Sequence, residues 1–159
     1  MRIIPYRRMD AFKYAEKWAM SRNPQYMNFD NIGGDCTNFA SQCLYAGSGV
    51  MNYTKDIGWY YISPTNRAAA WTGVQYFYKF IVNNKGVGPF GYEAGIDELE
   101  IGDFIQLFNG TNYYHTLIIV GHNGNVPLVA AHMFDAFMRP LDSYVYVSAR
   151  GIKISGVRE

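Results

Sequence analysis

Apolar side chains recur every three or four residues through the first half of the chain, which is the spacing of helices that bury one face. The pattern predicts three helices, over residues 8–20, 36–47 and 66–82. Asn23-Pro24 follows the first helix, and a proline disfavours helical backbone at the residue before it. Gly47 stands where a glycine commonly ends a helix, so we expect the second helix to finish there.

The second half of the chain carries short runs of β-branched and aromatic residues separated by turn residues, a pattern typical of strands. The predicted strands cover 104–108, 116–121, 126–132, 144–148 and 152–157. The glycine-rich segment 86–95 is predicted to be a loop and a candidate lid. Helices followed by an antiparallel sheet predict an α+β fold. Because the chain has no repeat, low-complexity tract or linker, residues 1–159 are predicted to form a single domain.

One turn predicts which strand residues meet. Asn123-Gly124 lies between two apolar runs and is a strong signal for a two-residue hairpin turn. A turn centred on this pair places His122 opposite Asn125 and, further out, His115 opposite His132. Opposed residues share a face of the sheet with their Cβ atoms about 5 Å apart. The register therefore predicts contact between the two inner histidines, and His122 is predicted to be a solvent-exposed turn residue.

Cys36 is the candidate nucleophile. It follows Gly33-Gly34 and begins the second predicted helix. Unpaired N–H groups and partial positive charge at a helix amino terminus favour thiolate over thiol, so we expect a lowered pKa for Cys36. Cys43 lies on the apolar stripe of the same helix and is predicted to be a small buried side chain. On one helix the two cysteines lie about 10 Å apart, which is too far for a disulfide.

The other candidate site residues precede the cysteine or lie on the predicted strands. Asp35 is predicted either to cap the helix or to contact substrate beside the thiol. His115 leads into an apolar strand and is the candidate general base. His132 is its candidate orienting residue, or else a strand-end histidine with a satisfied hydrogen bond. Asp135 is the alternative orienting residue.

Charge and hydropathy argue against several functions. The formal net charge is +1 and the basic residues are scattered, so no basic face for nucleic acid is predicted. No apolar run approaches the roughly 20 residues that cross a bilayer. Residues 1–6 lack the apolar core of a signal peptide. We therefore expect a cytoplasmic protein if this is the full native chain, and a secreted or cell-envelope protein if it is an excised domain.

A larger set of residues resembles a known family. The matching segments are Tyr14-Ala15, Trp18-Ala19, Asn23-Pro24, Gly34-Asp35-Cys36-Thr37-Asn38-Phe39, Ser41-Gln42-Cys43-Leu44, Gly47, Trp59-Tyr60-Tyr61, Trp71, Gly102-Asp103, His115 and Ala131-His132. Their order and spacing are similar to the putative amidase domain of Gram-positive bacteria, a branch of the papain-like cysteine hydrolases related to NlpC-type peptidases and CHAP amidases. The resemblance implies a papain-like fold with Cys36 as nucleophile, His115 as general base and acid, and a third polar residue on the next strand.

The resemblance also implies cleavage of an amide bond in peptidoglycan or a peptide-like substrate, with no cofactor and no metal. Cys36 attacks the carbonyl to give a thioester, His115 protonates the leaving amine, and water releases the acid. The backbone N–H of Cys36 is the expected oxyanion donor. Three alternatives stay open: an acyltransferase using the same site, an inert peptide- or glycan-binding module, and a zinc site formed by Cys36, His115 and His132.

Overall fold

The computed structural model describes residues 1–159 and contains four α-helices. They are α1 (Arg8–Trp18), α2 (Cys36–Ser48), α3 (Ala69–Thr72) and α4 (Val74–Asn83). Helix α2 begins at Cys36 as predicted, but it ends at Ser48. Gly49 takes the left-handed conformation that closes the helix, with φ 69°. Gly47 instead leaves room for the ring of Tyr6, which a Cβ atom would meet.

The single helix predicted over 66–82 is divided in the structure. Gly73 has extended backbone, with φ −105° and ψ 127°, and separates α3 from α4. Asn66–Arg67 forms a short strand ahead of both helices. Glycine costs about 1 kcal/mol relative to alanine inside a helix, so the helix is interrupted at Gly73. None of the helices is long and apolar enough to cross a membrane.

Nine strands complete the fold. They are β1 (Ile3–Ile4), β2 (Tyr61–Ser63), β3 (Asn66–Arg67), β4 (Gly88–Ala94), β5 (Phe104–Phe108), β6 (Tyr113–Asn123), β7 (Val126–Ala131), β8 (Ala136–Pro140) and β9 (Ser148–Arg158). The larger sheet has the order β1-β9-β5-β6-β7-β8, with β4 along the other side of β9, and all pairs are antiparallel. Helices and an antiparallel sheet confirm the α+β class.

Two predictions about the second half are wrong. Segment 86–95, predicted as a loop, contains β4, which pairs along β9. The glycines of this segment are typical of a loop. Gly91 is nevertheless required in the strand, because a Cβ there would lie 1.9 Å from the carbonyl oxygen of Lys153. Segment 144–148 has strand-like alternation but no neighbouring strand until β9 begins at Ser148. Strand β8 forms the edge of the sheet instead.

The sheet separates two apolar clusters. The helices cover one face, which carries Phe104, Ile118, Val120, Ala130, Ile152, Ile154 and Val157. The other face carries Ile105, Leu107, Leu117, Ile119, Val129 and Ala131. Leu99 and Leu141 pack against these residues. Side chains alternate between the faces along a strand. Thr116 therefore faces α2, whereas His115 lies on the face of Leu107, its partner on β5.

The hairpin of β6 and β7 has a different register from the predicted one. Asn123 is the last residue of β6 and pairs with the first residue of β7, so the turn is centred on Gly124-Asn125. Gly124 supplies the positive φ of 59° that this turn requires. A bulge in β6 shifts the pairing again, and β7 ends at Ala131. The predicted pairing of His115 with His132 is therefore wrong.

Candidate active site

Cys36 lies at the first turn of α2, after the segment 29–35, which we call the nucleophile loop. Gly33 and Gly34 have φ values of 83° and 100°, a conformation that side chains disfavour, which explains the glycine pair. Cys36 is only 4% exposed. The hydroxyl of Thr37 lies near the sulfur and forms a hydrogen bond with the hydroxyl of Thr116. The start of α2 therefore packs on strand β6 beside Thr116.

Burial dominates the titration of Cys36. The pKa of its thiol is raised above the ordinary value because desolvation destabilises the thiolate, and the charge of Asp35 acts in the same direction. Hydrogen bonds from Thr116 and Thr37 oppose this shift but do not cancel it. The predicted lowering of this pKa is therefore wrong for the free protein, because the cost of burial exceeds the benefit of the helix terminus.

His115 immediately precedes Thr116, whose hydroxyl forms a hydrogen bond with the residue that follows Cys36. The imidazole packs near the rings of Tyr114 and Tyr144, with centroid distances of 6.0 and 5.9 Å. Its Nδ1 is buried and has no hydrogen-bond partner. No hydrogen bond joins the imidazole to the sulfur of Cys36. The fold thus brings the two residues to adjoining backbone but leaves their reactive atoms unpaired.

Burial lowers the pKa of His115 to about 4, and the positive charge of Arg139 acts in the same direction. The unfolded chain protonates this histidine near pH 6.5, so it binds more protons than the folded protein between these values. Since the folded-state pKa is depressed, the contribution of His115 to stability is complete above about pH 6.5 and is lost as the pH falls toward 4.

This linkage gives a stability prediction. Between about pH 7 and pH 4, we expect the free energy of unfolding to fall by roughly 3 kcal/mol more in the wild type than in His115→Gln. Urea denaturation of both proteins at a series of pH values measures the difference, and contributions from other groups cancel. Parallel curves for the two proteins would show that His115 is not held neutral by burial.

His132 belongs to the helix face of the sheet. Its Nδ1 lies 2.5 Å from Asp35 Oδ2, and its Nε2 lies 2.8 Å from the carbonyl oxygen of Trp18. The ring also stacks on Phe39, with the centroids 4.0 Å apart. Both ring nitrogens are thus engaged away from His115, so the structure does not bring His132 to the position of an orienting residue.

Asp35 is 1% exposed and makes no side-chain cap for α2. Its Oδ1 accepts hydrogen bonds from the backbone N–H of Phe29 at 2.8 Å and the amide of Asn38 at 2.9 Å. Its Oδ2 accepts from His132 and lies 3.6 Å from Nε of Arg22. Because the carboxylate is enclosed by these partners, its predicted contact with substrate does not fit the structure. Asp35 instead ties the nucleophile loop to α2 and to the end of β7.

Asp135, the alternative orienting residue, pairs with Arg22 and not with His115. Both Nη atoms of the guanidinium donate to its carboxylate at 2.9 Å. The same guanidinium donates to Asp30 in the nucleophile loop, with its shorter contact at 2.9 Å. Arg22 therefore clamps the hairpin of β7 and β8 against the nucleophile loop.

That hairpin is strained where it meets the nucleophile loop. Met133 and Phe134 have φ values of 66° and 57°, which cost free energy in residues with side chains. The sulfur of Met133 fills the space where a Cβ of Gly34 would lie. Phe134 is 88% exposed. This turn was not predicted, because neither Met133 nor Phe134 is a usual turn former.

We expect Phe134→Gly to be about 1 kcal/mol more stable than Phe134→Ala. Glycine adopts the left-handed conformation without strain, whereas alanine keeps the strain, and both variants remove the same exposed ring. Urea denaturation of the two variants measures the difference. Equal free energies of unfolding would contradict a strained backbone at this position.

Other residues near the sulfur were not anticipated. The hydroxyl of Thr37 lies 3.7 Å from the sulfur and 2.9 Å from the hydroxyl of Thr116. The only feature of the sequence that marks Thr37 and Thr116 is a hydroxyl-bearing residue within an apolar helix or strand. Cys43 is buried as predicted, and both cysteines are free. The three residues of the zinc alternative do not form a metal-binding group of His, Cys, Asp and Glu side chains.

The fold and site define an α+β protein with a cysteine at the start of a buried helix, which packs on the strand that carries His115. The chain belongs to the family described as "Putative amidase domain", whose model matches residues 5–156. A relative in Bacillus subtilis (strain 168), "Uncharacterized protein YhbB", is 36% identical over 143 residues. The match covers 87% of this chain but 45% of that protein. No solved structure matches the chain.

Proposed function

We propose that this protein is a cysteine-dependent amide hydrolase with a papain-like arrangement, in which Cys36 is the nucleophile and His115 the general base and acid. One observation carries the proposal: the hydroxyls of Thr37 and Thr116, which follow Cys36 and His115 in sequence, lie 2.9 Å apart, so the two candidate residues lie on adjoining backbone. In the free protein the imidazole lies on the face of Leu107, so the reaction requires it to move toward the sulfur. Catalytic hydrogen bonds are often absent before substrate binds.

The free site holds a thiol and a neutral imidazole, because burial raises the pKa of Cys36 and lowers that of His115. His115 accepts the thiol proton as the sulfur attacks the amide carbonyl carbon. The oxyanion lies at the start of α2, where the backbone N–H of Cys36 donates to it. When the carbon–nitrogen bond breaks, the imidazolium gives its proton to the amine and a thioester remains. Water, deprotonated by His115, cleaves the thioester and restores the thiol.

The proposed substrate is a peptide-like amide, such as a stem peptide of peptidoglycan. The similarity of the sequence motifs to NlpC-type and CHAP hydrolases of Gram-positive bacteria supports this class, and family membership supports an amide bond. Within the Cys–His mechanism the chemistry needs no cofactor. An acyltransferase differs only in accepting an amine in place of water at the thioester.

Incubation with peptidoglycan and with soluble muropeptides tests the proposal. We expect the wild type to release a new amine and a new carboxylic acid, both identified by mass spectrometry. Cys36→Ala should release neither, whereas Cys43→Ala, which removes a buried thiol outside the site, should retain activity. Hydrolysis that survives in Cys36→Ala would overturn the assignment. A product in which an added amine replaces water would identify an acyltransferase.

One observation favours an inert binding module. Cys36 is enclosed, and the largest cavity, about 650 Å³, lies between residues 52–58 and α4 without contact to Cys36 or His115. A module of this kind would bind muropeptides without changing them. Binding by calorimetry with no product in the same sample would favour this alternative over hydrolysis.

A further inference from the structure

Four polar side chains are enclosed between the helices and the sheet, in a region that is otherwise apolar. They are Thr37 on α2, Gln106 on β5, Thr116 on β6 and Arg150 on β9. Arg150 is 9% exposed and the others are more deeply buried. Hydrogen bonds join them in a single series that ends at the sulfur of Cys36, and we call this series the polar chain.

Arg150 determines the orientation of the Gln106 carboxamide, the first hydrogen-bonded group of the polar chain. Its guanidinium lies between the rings of Tyr78 and Tyr113, 3.5 and 3.6 Å from their centroids. Its Nε and Nη2 donate to Oε1 of Gln106 at 3.0 and 2.7 Å. Arginine has donors only, so the carboxamide of Gln106 must turn its oxygen toward Arg150 and its nitrogen away.

The direction of the remaining hydrogen bonds follows from that orientation. Nε2 of Gln106 donates to the carbonyl oxygen of Val74 at 2.8 Å and to Oγ1 of Thr116 at 3.2 Å. Thr116 accepts, so its own hydrogen is free for Oγ1 of Thr37, 2.9 Å away. Thr37 can then donate to the sulfur of Cys36 at 3.7 Å. With Thr116 donating to Thr37, each hydrogen in the polar chain points toward the sulfur.

We propose that Arg150, acting through Gln106, Thr116 and Thr37, is a positioning residue that directs a hydroxyl donor onto the sulfur of Cys36 and stabilises its thiolate. A donor that bonds the charged form favours that form, and successive hydrogen bonds strengthen one another. The polar chain opposes the burial that disfavours the thiolate. Its catalytic meaning rests on the proposed function, but its effect on the thiol does not.

The pH dependence of iodoacetamide alkylation tests the last step, with labelled Cys36 located by peptide mass mapping. We expect Thr37→Val to raise the pKa of Cys36 by about one unit, which reduces the thiolate fraction about tenfold at a fixed lower pH. Thr37→Ser keeps the donor and should retain the wild-type pKa. The charge of Asp35 acts on the sulfur in all three proteins. An unchanged pKa in a folded Thr37→Val protein would overturn the proposal.

Variants of Thr116 and Arg150 test the hydrogen bonds of the polar chain that lie further from the sulfur. Thr116→Val should raise the same pKa, and the double variant with Thr37→Val should raise it no further than Thr37→Val alone. Arg150→Met keeps an apolar body between the two tyrosines and should also raise the pKa of Cys36. Additive shifts, or no shift in Arg150→Met, would overturn the role of the chain. No substrate is used, so failure of hydrolysis would overturn the proposed function while leaving this result intact.

Discussion

Replacing His115 by glutamine is expected to lower kcat for amide hydrolysis by about 10²- to 10⁴-fold, the usual contribution of a general acid and base. In the proposed reaction this imidazole moves two protons, and glutamine fills a similar volume without a titrating nitrogen. Because burial lowers the pKa of His115 to about 4, the wild-type rate should fall as the pH drops through that value. Rate measurements across pH on the two proteins test both expectations.

The matched control is His122→Gln, which replaces an exposed histidine near the β6–β7 turn and should leave kcat unchanged. His115→Gln activity within tenfold of the wild type would contradict a general-base role. So would an acid limb near pH 4 that persists in this variant, because that limb would then belong to another group.

Asp35→Asn is expected to reduce the free energy of unfolding by about 3 kcal/mol. The carboxylate is enclosed and pairs with His132, both of whose ring nitrogens face oxygen acceptors. Asparagine has one acceptor oxygen where aspartate has two, so a buried donor that faces Asp35 loses its partner, which costs about 1–3 kcal/mol. Several donors meet this carboxylate, which places the expected value at the upper end of that range.

Asp135→Asn provides a comparison within the same network, because both carboxylates approach Arg22. The side chain of Asp135 is 27% exposed and that of Arg22 is 23% exposed, so water screens their attraction. Exposed pairs contribute about 1 kcal/mol or less. Denaturant unfolding of the two variants gives the comparison. A cost for Asp35→Asn no larger than that for Asp135→Asn would contradict a structural role for the buried pair.

The predictions for the residues of the candidate site agree with the structure to different degrees. The start of α2 at Cys36 could be predicted because a glycine pair and a helical apolar stripe are local signals. The pKa of the thiol could not, since burial depends on the strand that packs against the sulfur. His132 was chosen from an assumed hairpin register. A shift in the turn and a bulge in β6 changed that register, and the partner of His132 became Asp35, almost a hundred residues earlier.

The sequence by itself determined the α+β class, the start of α2 and the central strand β5, because these depend on periodicity and on turn residues close in the chain. Only the tertiary structure decided that Gly73 divides a helix, that β4 joins the sheet, and that Asp35 is enclosed. Strand pairing, burial and the orientation of the polar chain each depend on residues distant in sequence. Their free energies appear only when those residues meet.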